Sequence, residues 1–547
     1  MVLAAALAEV GVAARLTDFE HTRIDETRPA GVPSDAELES MGAVIGDIEI
    51  DIRDIFDQSD LRENSGLYRI ADRLHVTTRP ASIRAQLLFK SGDRYLGRKL
   101  AETERNLRLL PYLYDARVMP VRVKDGKVDV KVTTKDVWTL SPGISFGRTG
   151  GTNSSNEYIQ DSNILGSGKS LQVGHTVTVD RISDGVTWSD PNTFGSRWMT
   201  TLAYIDSSDG YQRTLQVTHP FYSLDTQGEA NILGSAFNRT VSRYNLGNII
   251  DQFNVDETSY ELSGGVSKGL ENGWVTRWTF GMRYDSNLFL RTPVTSLPAL
   301  QLPPDRTLSY PFVGFDVIQD DYRKAADFNQ IGRTEDLFFG TEVSGEIGYS
   351  STVFGADRDA IMLAAKARSG FEFPHSQYLF LTSVFSSRIE QGDPRNLIAT
   401  GTAAYYLRWR PDWLLYSSLA ATTTDALDPD MQLLIGGDNG LRGYPLRYES
   451  GSSRFLWTVE QRFYTDWYPF RLARVGGAVF SDIGRTWGHG VIGNSDPGLL
   501  KDVGFGLRLG NTRSGLGNVL HVDIAIPLEH LDGVRDFQLL IQVQQSY

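Results

Sequence analysis

Few residues in this 547-residue chain are typed and spaced for chemistry, and most of the tempting sets fail on inspection. With no cysteine, the chain excludes disulfide scaffolds, thiolate zinc sites, iron–sulfur ligation and cysteine nucleophiles together. The eight histidines are scattered, with no HExxH and no paired ligand spacing, so no metal site is expected. Gly166-Ser167-Gly168-Lys169-Ser170 ends like a phosphate-binding loop, but the first glycine such a loop needs is Asn163 here, and no helix follows. Gly265-Val266-Ser267-Lys268-Gly269 satisfies G-x-S-x-G without the strand-to-helix context of a nucleophile elbow. Acidic pairs such as Asp320-Asp321 sit in loop-like sequence, where solvation or weak calcium binding is the ordinary fate. Neither a catalytic set nor a cofactor site is expected.

Ion pairing is the exception. The glycine-rich stretch 434–444 carries Arg442, Gly443 and Tyr444 at its end. Downstream, the odd-numbered Phe455, Trp457, Val459 and Phe463 are apolar, so Glu460 points to the other face of that segment. In 475–483 the odd-numbered Val475, Val479 and Ile483 are apolar, which sends Asp482 and Phe480 the same way. If those polar faces line an interior, an inward-folded Arg442 can pair with both carboxylates, its planar fork making two parallel hydrogen bonds. Gly443 would let the backbone turn tightly, and Tyr444 could stack against the wall. In a partly dry interior, removing one partner would cost on the order of 3–5 kcal/mol. Swapping charges, Arg442→Glu with Asp482→Lys, should then partly rescue either single change.

Such an interior requires a barrel, and the patterning supplies one. Hydrophobic residues make up 41% and charged residues 22%, enough for a sizeable core, and the balance of 54 basic against 67 acidic residues argues against nucleic-acid binding. The mean hydropathy is −0.26 and no run approaches the roughly 18 apolar residues of a membrane helix, but membrane β-strands alternate and average out polar. After Trp138 alternating segments follow one another, as in Leu171, Val173, Val177 and Val179. Aromatic clusters such as Phe463-Tyr464 with Trp467-Tyr468 suit interfacial girdles. The long polar connections 291–306 and 320–335 are expected as extracellular loops. At roughly 25 residues per strand, 138–547 gives about 16 antiparallel strands. The first, near 139–150, contains Pro142, Gly143 and Gly147; the last begins at Phe537 and carries Leu539, Ile541, Val543 and Tyr547 on its apolar face. Proline cannot donate to a ladder and glycine weakens strands, so the closing seam is predicted to be poor.

Ahead of the barrel, 42–137 reads as one small α/β module in the order β-α-α-β-β, its hairpin turning at Lys124-Asp125-Gly126. Residues 1–41 read as a signal remnant or linker, with Ala6-Leu7-Ala8 like a small-residue cleavage site and a frayed helix as the plain alternative.

Two stretches carry a family resemblance. Phe89-Lys90-Ser91-Gly92-Asp93-Arg94-Tyr95, followed by a helix and Leu110-Pro111-Tyr112-Leu113-Tyr114-Asp115, resembles a POTRA domain. The loop 434–444, then 459–463 and 479–484 in order, resembles the signature loop and strand motifs of the BamA/TamA outer-membrane assembly-factor superfamily. The resemblance covers about 42–547. It implies a mainly β chain, a 16-stranded transmembrane barrel in the bacterial outer membrane with one POTRA-like domain in the periplasm. It also implies a non-enzymatic function: inserting proteins into the membrane, or moving polypeptide across it, by adding a client strand at the seam. Implied partners are outer-membrane lipid, a client β-barrel or secreted protein, and a periplasmic or lipoprotein component. Two alternatives remain open at this stage. One is a dedicated secretion pore for one partner, although such relatives carry two POTRA modules and a plugging helix, and this chain offers one module and no good plug. The other is a passive porin-like channel. A single module suits an accessory paralogue better than a general insertase.

Overall fold

The computed structural model describes residues 24, 26–58, 60, 63, 66–292, 302–488, 496–513 and 519–544. The leader-like residues 1–8 and the terminal Tyr547 lie outside them.

In the N-terminal domain the strand Val44–Arg53 pairs parallel with Lys127–Asp136, which pairs antiparallel with Leu113–Lys124. Asp125 and Gly126 both take left-handed φ, as the two-residue hairpin requires. Helix Gly97–Arg108 buries Leu100 and Leu107 against Val128, Val130 and Val132 of the sheet. Pro80 opens the short helix Pro80–Arg84, where its missing N–H is not needed, and Ile83 enters the same core. Two further helices complete the domain, the first of them invisible to apolar spacing. Asp35–Ser40 forms because Ser34 and Glu37 cap it reciprocally, and it buries Leu38 in the domain core although its sequence reads as linker. Gly66–Leu74 is the other.

The remainder closes into one antiparallel barrel of twenty strands among the described residues, not about 16. The surplus comes from the stretch between Leu140 and His219, whose six strands span only 8–10 residues each and include two-residue turns such as Gly150-Gly151 and Ser208-Asp209. Most later strands are longer, up to the 24 residues of Asn248–Glu271. Alternation is kept throughout. Leu202, Leu215, Ile232, Leu262, Trp278, Phe280, Val479 and Phe505 all stand exposed on the outer face. An apolar belt of this extent on a closed barrel, whose backbone groups are paired within the wall, matches a bilayer's demands. No helix among the described residues is long and apolar enough to cross a membrane.

Because one strand, Arg306–Gln319, separates the connections 292–305 and 320–340, these lie at opposite ends of the barrel. They cannot both be extracellular, contrary to the sequence expectation. The second lies at the end where the N-terminal domain docks. There Arg108 donates to both oxygens of Asp336 at 2.8 and 2.6 Å, Tyr114 donates to Gly332 O at 2.8 Å, and Trp138 N–H donates to Arg513 O at 2.7 Å.

Lys135 is buried beside this junction, and burial, with the Arg513 guanidinium adding to it, pushes its ammonium down to about 8. Since the folded value lies below the ordinary 10.5, the unfolded chain holds more protons between pH 8 and 10.5, and stability rises with pH across that window. Below pH 8 the full cost is present, about 3 kcal/mol. Lys135→Met is therefore expected to raise the denaturation midpoint more at pH 7 than at pH 10, measured by urea melts in detergent. An equal or reversed gain would show that the ammonium is solvated.

Candidate functional site in the barrel lumen

Four consecutive strands, Ser453–Tyr464, Ala473–Trp487, Leu500–Asn511 and Val519–Pro527, build the wall of the site. Their alternation turns Glu460 and Arg462, Phe480 and Asp482, Asp502 and Arg508, and His521 and Asp523 inward, all of them buried. The partners of Arg442 named from sequence are Glu460 and Asp482. Asp502, Asp523, Arg508 and His521 were missed, although the same parity would have found them: Val503, Phe505 and Leu507 point outward on one strand, and Leu520, Val522 and Ile524 alternate with the inward set on the next.

The connection 426–452 folds back between these walls. Its short strands Leu433–Ile435 and Glu449–Gly451 pair, and Ile435, Leu441, Tyr444 and Tyr448 pack with Leu500 into a small core. Arg442 reaches the wall at its tip. Its Nε and Nη2 donate to the two Asp482 oxygens at 2.7 and 3.0 Å, and Nη1 lies 3.3 Å from Glu460 and 3.4 Å from Asp523. The guanidinium also stacks 3.3 Å from the centroid of the Phe480 ring. Gly443 does a different job from the turn expected of it. A Cβ there would stand 2.7 Å from Asp502 Cβ, so the glycine permits close approach, and its N–H donates to Asp502 at 2.9 Å. Tyr444 is buried as well; its hydroxyl donates to Glu529 at 2.5 Å and accepts from Lys501 N–H at 3.1 Å.

The loop is tied across the lumen too. Arg447 donates to both oxygens of Asp180 at 2.7 Å, and Arg388 holds both oxygens of Asp428 at 2.6 and 2.5 Å. Beside the first barrel hairpin the contact runs over glycine backbone, with the Leu446 side chain against Gly150. A Cβ on Gly437 would lie 2.8 Å from Gly150 Cα, and one on Gly150 would lie 2.4 Å from Leu446 N.

A second segment enters from the opposite end. The hairpin Tyr322–Ala326 and Thr334–Phe338 carries a tip whose Phe328, Asn329 and Gln330 N–H groups all converge on Glu335, at 2.9, 3.1 and 3.3 Å. Arg462 donates to Phe328 O at 2.6 Å and, through Nε, to Glu460 at 3.3 Å. Glu460 therefore touches both the cation that holds this tip and Arg442.

At the seam, the first and last strands share one ladder pair among the described residues, Ile541 with Arg148, plus a side-chain bond from Gln542 to Thr149 at 2.8 Å. Every other neighbouring pair in the barrel registers at least seven partners, as between Val519–Pro527 and Gln538–Gln544. Of the glycines and proline read as weakening the seam, Gly147 approaches the last strand, its notional Cβ 3.4 Å from Ile541 O. Pro142 and Gly143 pair with Ile159 and Tyr158 of the second strand. Phe537 precedes the last strand rather than starting it, Leu539 and Val543 point outward, and Leu540 turns in against Phe480 and Ala525. A cavity of about 510 Å³ lined by Gly147, Ser154, Arg442, Asp482 and Ile541 joins the Arg442 cluster to the lumen side of the seam.

Arg442→Ala is expected to destabilise the barrel by about 3–5 kcal/mol, since it leaves buried carboxylates short of a cation. Arg442→Lys should recover little, a point charge being unable to span Asp482 and Glu460 together. The swap Arg442→Glu with Asp482→Lys, which a simple pair would let rescue, is expected to fail because Glu460 and Asp523 stay acidic at 3.3 and 3.4 Å. Thermal unfolding in detergent reads all three. A loss below about 1 kcal/mol for Arg442→Ala would mark the cluster as solvated.

No protein-family profile and no curated protein matches the chain. Many solved structures are similar, three of which follow. BamA from Haemophilus ducreyi lacking POTRA domains 1–3 matches at 12% identity over 90% of this chain and 84% of that one, with a TM-score of 0.39. CdiB from Acinetobacter baumannii matches at 14% identity over 93% and 74%, with a TM-score of 0.43. CdiB from Escherichia coli matches at 14% identity over 91% and 76%, with a TM-score of 0.46.

Proposed function

We propose that the chain is a bacterial outer-membrane barrel that inserts client proteins into the membrane, or translocates polypeptide, by pairing a client strand at its seam. The observation that carries this reading is that, among the described residues, the first and last strands are joined by a single ladder pair, Ile541 with Arg148. A closed barrel has no edge to offer; one joined so thinly can expose two. Exchanging a few ladder bonds for equivalent bonds to a client is nearly isoenergetic, so the step needs no nucleotide. The N-terminal domain, a three-stranded sheet with helices held over one barrel mouth, is read as the POTRA-like periplasmic module that presents clients. The passive-channel reading loses support because segments from both ends are pinned inside the lumen.

Because the chain has no cysteine, the seam can be locked selectively. Arg148→Cys with Ile541→Cys should form a disulfide that abolishes insertion of an unfolded outer-membrane barrel into liposomes, with activity restored by reductant. The same lock at the ordinary pair Val503→Cys with Ile526→Cys should leave activity intact. Equal activity in both oxidised variants would exclude seam opening. Failure of the wild-type chain to accelerate insertion would exclude the insertase function itself.

A further inference from the structure

The glycine-rich run that imitates a phosphate-binding loop is half of a repeat. Asp161-Ser162-Asn163-Ile164-Leu165-Gly166-Ser167 and Asp190-Pro191-Asn192-Thr193-Phe194-Gly195-Ser196 share the pattern D-x-N-x-apolar-G-S. They fold alike. Each Asp accepts the N–H of its Asn, at 2.9 and 3.0 Å, and each Ser hydroxyl donates to the carbonyl three residues back, both at 2.6 Å. Leu165 takes φ 51° and ψ 29°, and Phe194 takes φ 55° and ψ 28°. A third turn, without the sequence pattern, does the same with Phe470 at φ 51° and ψ 18°.

This arrangement is unfavourable in water on two counts. Left-handed backbone is sterically costly for a bulky side chain, and Asn or Gly normally fills such a position. The apolar side chain is then presented to solvent: Leu165 is 63% exposed, Phe470 81% and Phe194 fully so. Other turns at the same barrel end show the ordinary choice, with Asn272-Gly273 and His375-Ser376 at left-handed φ. Among the described residues one other large apolar side chain sits at left-handed φ, Leu246, at the opposite end.

Placement gives the three turns a common surroundings. They join strands on both sides of the seam, two beyond the first barrel strand and one before the last four. Each is reached through exposed apolar residues of the outer belt: Ile159 and Leu171 at the first, Trp198 and Met199 at the second, Trp467 and Leu472 at the third. The polar side of each turn holds the N-terminal domain. Arg79 N–H and the Ser82 hydroxyl donate to Gly166 O at 2.9 Å, Gln86 donates to Asn192 at 2.6 Å, Arg197 donates to Leu87 O at 2.8 Å, and Tyr68 donates to Phe470 O at 2.9 Å.

We propose that Leu165, Phe194 and Phe470 insert into the headgroup–acyl boundary of the leaflet on the N-terminal-domain side. The three turns thereby seat that domain against the bilayer next to the seam. Lipid is the occupant because the tips continue the belt that already faces lipid, and such a boundary accepts single aromatic and aliphatic side chains.

The test uses single-cysteine variants of the full chain in phosphatidylcholine vesicles: Leu165→Cys, Phe194→Cys, Phe470→Cys, and Asn272→Cys as the polar turn at the same end. Labelled with bimane, the first three are expected to be quenched at least twofold more than the fourth by lipid brominated near the headgroup. Quenching equal to that at Asn272→Cys overturns the proposal, including the case in which a protein partner rather than lipid covers the tips. A label that perturbs folding is bypassed by a second measurement on the unlabelled variants. With the N-terminal domain facing outward, a membrane-impermeant maleimide should modify the three tips at least tenfold more slowly than Asn272→Cys, and equal rates overturn the proposal again.

Discussion

A guanidinium carried into the middle of a β-barrel must find its counter-charge there, and the arrangement around Arg442 follows from that requirement. Two Asp482 oxygens, Glu460, Asp523 and the face of Phe480 surround it. An isolated charge at this depth would be prohibitive, while a paired one in fixed geometry can be held. The wall carboxylates are in turn beside one another, with Asp482 opposite Asp502 in register, so the wall needs the loop's cation as much as the loop needs the wall. Loop and wall are thus each other's solvent. The steric demands agree, since Gly443 brings the backbone close enough for its N–H to serve Asp502.

The cluster also organises the opposite end. Glu460 meets Arg442 on one side and Arg462 and Arg508 on the other, and Arg462 holds the carbonyl at the tip of the second inward segment. That tip is gathered on Glu335 and clasped from outside by Arg333, which donates to the carbonyls of Leu113 and Tyr114 in the N-terminal domain. A continuous chain of charge-assisted contacts runs from the N-terminal domain, through the lumen, to the loop at the far mouth. Two segments with no secondary-structure relation are linked through one acidic side chain, Glu460, directly to Arg442 and by way of Arg462 to the second tip.

What could be read without coordinates depended on period. Alternation placed Glu460 and Asp482 inward because neighbouring apolar residues fix the face, and the Arg-Gly-Tyr tip stood out by its resemblance. Strand number was not legible in the same way. Short strands on two-residue turns and long strands on long loops have the same local pattern, and only the pairing separates them. The expectation that 291–306 and 320–335 are both extracellular fails because polarity marks a loop without saying which mouth it serves; the one strand between them puts them at opposite ends. The helix Asp35–Ser40 escaped since one apolar residue, Leu38, makes no stripe. Gly443 reads in the sequence as a tight turn, whereas the structure uses it for close approach to Asp502, because a missing Cβ can serve the backbone's own torsion or a neighbour's approach, and sequence does not distinguish them.

The glycine contact between Gly150 and Gly437 has a consequence for leakage. Where the first hairpin meets the inward loop, Gly150 lies against Gly437 and under the Leu446 side chain, an apolar contact, while the loop's charged attachments go elsewhere through Arg442, Arg447 and Asp428. Under the proposed function, a first hairpin parting from that face would leave the loop held in the lumen by its ion pairs. A strand would then be admitted sideways without opening a path through the barrel for ions or small solutes.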